Sequence, residues 1–304
     1  LGRIKREHGA VLWASPLLVC LGTLVATPIF TALDIPIFGA ALLALSIAMS
    51  SSVVIVNITR SRRRTTSAGT EDALLGWSVL QDITGVGLAA LIIAILGKSG
   101  EGFIQSILGL LGFGVAAYVA SKLLPYLLRV IRWESDLFLI YSVAIGLFIA
   151  ALGTVVFGIP MALASFVAGL AINQNRDTDQ VRKAVLPFRD LFQVLFFVVI
   201  GSLVEPALIV DALPFTGLIL GVMILIKSIP AFLFAHFGHI GDSSAQLSVG
   251  LSQVGEFSFV LGSAALAAGA LTKVQFTGVL LAVISSIIVS TLAVRRASRL
   301  SRSI

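Results

Sequence analysis

Ten apolar runs divide the chain, at 10–30, 36–57, 73–97, 103–131, 136–157, 160–174, 189–204, 212–235, 246–269 and 274–293. A helix needs about 20 predominantly apolar residues to cross a hydrocarbon core roughly 30 Å thick. Most of the runs reach that length; 160–174 and 189–204 fall short of it. The pattern predicts an all-α polytopic membrane protein with about ten transmembrane helices.

Two runs are poorly helical at their centres. The run 36–57 carries Ser50, Ser51 and Ser52, followed by β-branched Val53, Val54, Ile55 and Val56. The run 246–269 carries Ser248, Gly250, Ser252, Gln253 and Gly255. Serine offers the backbone competing hydrogen bonds, glycine adds backbone freedom, and β-branching restricts rotamers. An interrupted helix survives in a bilayer only where it is buried or lines a wet cavity. Successive spans alternate in direction, so the first three and the last three run in opposite senses, and each triplet has its interrupted member in the middle. That arrangement points to an inverted-repeat transporter with its site at mid-membrane. Close packing of small residues between ordinary helices is the competing explanation.

Composition narrows the class. Of 304 residues, 58% are hydrophobic and 12% charged, about half the charge of a soluble domain, which excludes a soluble enzyme and disorder. The single cysteine, Cys20, excludes a disulfide framework. Of the 21 Lys and Arg residues, all but Lys98, Lys273 and Lys227 fall in one set of alternate loops. This asymmetry predicts an inner (plasma) membrane protein with both termini cytoplasmic, and it explains the basic charge without nucleic acid. Leu1 is not an initiator methionine, so the chain is expected to be a fragment, and 10–30 is too long for a signal-peptide core.

Three ionisable side chains sit deep in apolar spans. Asp82 follows Asp72 by ten residues, about 15 Å along a helix and half the core. Lys227 and Glu256 lie inside the runs 212–235 and 246–269. A charge at such depth costs at least ~2.5–3.5 kcal/mol, and such residues mark pathways, relays or counter-ions. Asp82 is the candidate ligand for a transported ion, because a carboxylate holds either a proton or a hard monovalent cation through oxygen. Lys227 is expected to balance its charge, beside the Ile226 carbonyl that Pro230 cannot bond. Glu256 has three open roles: binding an ion, pairing with an arginine, or capping the broken helix.

Other features have bland explanations. Gly85-Val86-Gly87 imitates a dinucleotide fingerprint, but no strand precedes it. Gly217 and Gly221 form a GxxxG spacing expected to pack helices closely. Cys20 is expected to be a small buried residue, His236 and His239 to lie in a solvated cytoplasmic loop, and Arg60–Arg64 to meet anionic headgroups.

Several motifs in order resemble one family. Leu45 to Val54 (LSIAMSSSVV), Gln81-Asp82, the segment Pro187 to Phe192 with Leu195 to Phe197 and Gly201, intramembrane Lys227, and Gln253 to Phe259 (QVGEFSF) are similar to the motifs of the monovalent cation:proton antiporter-2 family. That family includes the glutathione-gated potassium efflux proteins. The resemblance implies the inverted-repeat sodium/proton antiporter fold with two discontinuous helices. It implies a single transmembrane exchanger domain over 1–304, with a core formed by 10–97 and 212–293 and a scaffold or linker at 103–204. The family's first three helices, and the nucleotide-binding domain that often follows the last, are not expected within this chain. The full-length form is expected to be a homodimer in the lipid bilayer.

The leading expectation is proton-coupled antiport of sodium or potassium by alternating access, with no cofactor. Asp82 binds cation and proton by turns, Gln81, Ser51 and Ser52 help to coordinate, and Lys227, Glu256 and Gln253 tune the site. A channel-like cation conduit and an inactive or assembly-dependent fragment are the alternatives. An intramembrane enzyme is disfavoured, since no nucleophile elbow or HExxH pattern occurs.

Overall fold

A computed structural model describes residues 9–59, 66–97, 103–131, 135–157 and 201–300, with scattered positions between 164 and 199. Among them all regular secondary structure is helical. The Arg60–Arg64 run lies outside the described residues and the predicted span 160–174 largely so, while the predicted span 189–204 and the motif from Pro187 to Gly201 are described only in part. The other predicted spans are helical, and the chain divides into two compact units, Leu1–Ile92 with Leu203–Ile304, and Ile93–Ser202.

The first unit begins with α1 (Val11–Thr31), whose two faces follow from its sequence. Trp13, Leu17, Leu21 and Leu24 recur at helical spacing and are exposed, whereas Ser15, Val19, Gly22, Thr23 and Ala26 are buried. Large apolar side chains thus cover the outward face, whereas the inward face mixes Val11, Leu18 and Phe30 with small or hydroxylated residues that let neighbouring helices approach. Cys20 is exposed, not buried as expected, because it falls on the outward stripe.

The second span is broken into α2 (Ile37–Ala48) and α3 (Ser52–Thr59). The break is Met49, Ser50 and Ser51, and the β-branched residues from Val53 onward are helical, so serine rather than β-branching interrupts this span. Next, α4 covers Ala68–Leu96. Its first turn is capped locally by Ser67, whose Oγ accepts from the Thr70 N–H at 3.4 Å, and from afar by Asp242, whose Oδ2 accepts from the Gly69 N–H at 3.2 Å.

In the last third of the chain, α7 (Ile209–Met223) runs through a single π turn, Ile224–Ser228, into α8 (Ile229–Phe237). Pro230 explains the widened turn: it has no N–H for the Ile226 carbonyl, and its ring crowds that oxygen. The freed carbonyl lies 3.5 Å from where a Cβ on Gly22 would stand, so α1 passes directly over it. His236 is in the last turn of α8, stacked on Phe232 at 5.9 Å, rather than in a loop. Gly217 and Gly221 would meet nothing with an added Cβ, so the GxxxG spacing packs no described helix. The close approach in this region is at Gly278 instead, against Phe215.

The ninth span is also broken, into α9 (Ser244–Leu251) and α10 (Phe257–Ala267), and α11 (Lys273–Leu300) closes the unit. One core cluster joins α1, α3, α4, α8 and α9 through Val11, Leu18, Ile55, Trp77, Ala235 and Leu251. In the second unit, α5 (Phe103–Ile131) packs on α6 (Ser135–Val155). Phe113 is buried there against Gly153, where a Cβ would come within 2.6 Å of its ring.

Candidate functional site

The two helix breaks meet. Met49 leaves α2 in an extended conformation (φ −88°, ψ 139°), and its carbonyl accepts from the Gly255 N–H at 3.0 Å. Ser50 Oγ donates to the Leu251 carbonyl at 2.7 Å, and Gln253 Nε2 donates to the Ser51 carbonyl at 3.4 Å. A Cβ on Gly255 would stand 2.9 Å from the Ser50 carbonyl carbon and 3.1 Å from the Ser51 nitrogen. Only glycine lets these two backbones approach so closely.

The polar groups freed by the breaks find partners from neighbouring spans, as buried backbone must. Lys227, fully buried in the π turn, donates through Nζ to the carbonyls of Met49 (3.0 Å) and Gln253. Gln81 Nε2 donates to the Ser50 carbonyl at 3.1 Å. Ser286 of α11 accepts from the Val254 N–H at 3.0 Å. Ser51 Oγ accepts from the Val54 N–H at 3.3 Å and so serves as the N-cap of α3. Behind the break, Ser252 Oγ donates to the Ser248 carbonyl at 2.7 Å and lies at the same distance from Ser228 Oγ.

Charge follows the helix ends. Each half-helix presents partial negative charge at its C-terminus and partial positive charge at its N-terminus, about half an elementary charge each. Lys227 sits where the chain leaves α2 and α9, while Ser52 and Glu256 sit where α3 and α10 begin. Each charge therefore opposes the dipole beside it.

The carboxylates lie on the N-terminal side of this crossing. Asp82 of α4 is buried beside Ser52 and in electrostatic contact with Glu256. Ser52 Oγ donates to Glu256 Oε1 at 3.2 Å. Asp82 Oδ1 and Glu256 Oε2 are both buried with no hydrogen-bond partner. Buried carboxylate oxygens without partners can hold a proton or a hard monovalent cation.

The sequence-predicted residues therefore separate into two groups. Asp82, Ser52 and Glu256 come together around open oxygens. Gln81, Ser51, Gln253 and Lys227 gather at the breaks and bond backbone there. Glu256 makes no side-chain cap on α10, and among the described residues neither Glu256 nor Lys227 forms an ion pair. Lys227 also reaches past the Ile226 carbonyl to the two breaks. Sequence reasoning missed Met49, Gly85, Ser228 and Ser286. Gly85, one turn beyond Asp82, leaves room for the Met49 side chain, and Ser285-Ser286 inside an apolar run was its most visible signal.

Residues 3–299 match the family model for the sodium/hydrogen exchanger, transmembrane. The chain belongs to that family. It is 24% identical over 286 residues to the "Putative cation/proton antiporter YbaL" of Escherichia coli (strain K12), covering 90% of this chain and 51% of that protein. It is 28% identical over 278 residues to the high-affinity Na(+)/H(+) antiporter NhaS3 of Synechocystis sp., covering 87% of this chain and 59% of that one. The chain thus spans little more than half the length of these curated relatives. It matches the structure of the sodium proton antiporter MjNhaP1 from Methanocaldococcus jannaschii with a TM-score of 0.72 and 15% identity, over 98% of this chain and 80% of that one. The fold is accordingly the inverted-repeat antiporter fold with two discontinuous helices, in a multi-pass membrane protein.

Proposed function

We propose that this chain carries the ion pathway of a secondary transporter that exchanges sodium or potassium for protons by alternating access. The observation that carries the reading is Asp82 Oδ1, buried without a hydrogen-bond partner beside the place where two broken helices cross. A carboxylate so placed gains by taking either a proton or a cation, and the two exclude each other at one oxygen. Family membership and the names of the relatives support the same chemistry.

In this reading residues 10–97 and 212–293 form the core and 103–204 the scaffold or linker. Both termini are cytoplasmic at the inner membrane, and the full-length protein is a homodimer. Gln81, Ser51, Gln253 and Lys227 hold the breaks open for Asp82 and Ser52. The test is proton flux driven by a sodium or potassium gradient in proteoliposomes. Asp82→Asn, which keeps the shape and removes the shared charge, is expected to abolish flux in either gradient. Full flux in that variant rejects the reading, and single-channel currents indifferent to a pH gradient would replace it with a conduit.

A further inference from the structure

We propose that Thr70 and Asp242 are positioning residues. Each caps the backbone of the other's element, and the clasp they make stays shut while ions are exchanged, holding Asp82 level with the crossing from about 18 Å away along α4. The proposal rests on the transport reading above for what Asp82 does, and on contacts of its own for the clasp. Asp242 Oδ2 accepts from the Gly69 N–H at 3.2 Å, in the first turn of α4. In return Thr70 Oγ1 accepts from the Asp242 and Ser243 N–H groups, both at 3.2 Å, where the chain enters α9. Those two N–H groups occupy both lone pairs of the hydroxyl, and Ser67 Oγ completes its bonding at 2.9 Å. Two glycines make room for the arrangement. A Cβ on Gly69 would stand 2.7 Å from Asp242 Oδ1, and one on Gly241, where φ is +69°, would stand 3.2 Å from the Thr70 Cα. Thr70 is fully buried and Asp242 exposed.

The clasp closes a ring of contacts. From Thr70, α4 runs to Gln81, whose Nε2 donates to the Ser50 carbonyl at 3.1 Å. Ser50 Oγ donates to the Leu251 carbonyl at 2.7 Å. From Leu251, α9 returns to Ser243, whose N–H Thr70 accepts. The two helical sides of the ring are about 16 Å and 12 Å long. Between its ends α4 meets α9 through apolar side chains: Leu74 lies against Gly250, and Leu74 and Trp77 belong to one core cluster with Leu247 and Leu251. Such contact is non-directional and does not fix how far one helix has slid along the other. The hydrogen bonds at the two ends do. Asp82 follows Gln81 directly, so whatever sets the register of α4 sets the height of Asp82 at the crossing. Opening the clasp would take the partners from three N–H groups at once and draw apart backbones seated on two glycines. A junction built this way is a fastening rather than a gate.

Locking the junction tests whether it opens. In a chain whose one cysteine is replaced (Cys20→Ser), Ala73→Cys is combined with Gly241→Cys, because a Cβ on Gly241 would stand 3.5 Å from the Ala73 Cβ, within the span of a disulfide. Proton flux driven by sodium or potassium in proteoliposomes is expected to be the same in the oxidised and the reduced protein. Flux that stops on oxidation and returns on reduction means that the junction opens in each cycle, and overturns the proposal. Thr70→Val, which keeps the shape and removes the acceptor, tests the positioning. Chains with α4 out of register do not bind the cation, so the apparent KM for sodium or potassium rises by the inverse of the fraction in register; we expect at least about fivefold, with the maximal rate unchanged. Thr70→Ser should restore the KM. An unchanged KM, or a fall in the maximal rate alone, overturns the proposal. Hydrogen exchange reads the same variant without transport. The Val254 and Gly255 N–H groups are bonded at the breaks, and their exchange is expected to accelerate at least about fivefold. Acceleration confined to residues 67–73 and 240–245 means a local cap and overturns the positioning. Should Thr70→Val fail to fold, Asp242→Ala gives the same readings from the other half of the clasp. An unmodified chain that moves no protons refutes the transport reading alone, and hydrogen exchange then decides the clasp.

Discussion

Gly255→Ala isolates the contact on which the crossing depends. The new Cβ would stand 2.9 Å from the Ser50 carbonyl carbon and 3.0 Å from its oxygen. Carbon atoms in ordinary contact sit at about 3.5–4.0 Å, so the two backbones must separate by roughly 0.6–1 Å. The Gly255 N–H to Met49 carbonyl bond, now 3.0 Å, would then stretch past the usable range. Overpacking costs about 1–3 kcal/mol and the lost bond about 0.5–1.5 kcal/mol, for a total near 2–4 kcal/mol. Two other glycines are internal controls. At Gly250 an added Cβ meets only the flexible end of Leu74, at 3.0 Å, and at Gly217 it meets nothing. Thermal unfolding of the purified variants, followed by loss of the monodisperse peak, should rank Gly255→Ala far below Gly250→Ala, with Gly217→Ala at the level of the unmodified chain. If Gly255→Ala melts with Gly217→Ala, the backbones are not in contact there.

Three other substitutions test separate parts of the site. Lys227→Met leaves the Gln253 carbonyl without its lysine donor, while the Met49 carbonyl keeps Gly255. The expected loss is about 1–3 kcal/mol together with exchange, and a folded, fully active variant would contradict the role given to the ammonium. Ser286→Ala orphans the buried Val254 N–H and should cost about 1–3 kcal/mol in a denaturant titration, whereas neighbouring Ser285→Ala should not. Asp242→Ala removes the long-range cap on α4; hydrogen exchange at residues 69–72 should accelerate by an amount matching about 0.5–2 kcal/mol, and Asp242→Asn should restore most of it.

The fold was largely legible because the hydrophobic effect writes spans as long apolar runs, and α1, α5, α6 and α11 start within a few residues of the predicted positions. The breaks were legible as well, since Ser50 to Ser52 and Ser252 to Gly255 are poor helix centres in otherwise apolar runs. Side-chain partners were not. Gln81 reads in sequence as a coordinating neighbour of Asp82, yet its amide serves the Ser50 carbonyl 31 residues away. Lys227 reads in sequence as a balancing charge, and its two carbonyl partners in spans far from its own are not written there. Such partners depend on which backbone groups a break leaves open, and no local pattern encodes that. GxxxG at Gly217 failed for a related reason, because spacing identifies a smooth face without saying what covers it.

The central claim is that proton and cation take turns at Asp82. Initial rates of radioactive sodium uptake, measured over a range of sodium concentrations at successive pH values, address it directly. Competition requires the apparent KM for sodium to rise about tenfold for each unit of pH lowered on the acid side, with the maximal rate unchanged. A KM that stays constant while the maximal rate falls would mean that the proton binds elsewhere.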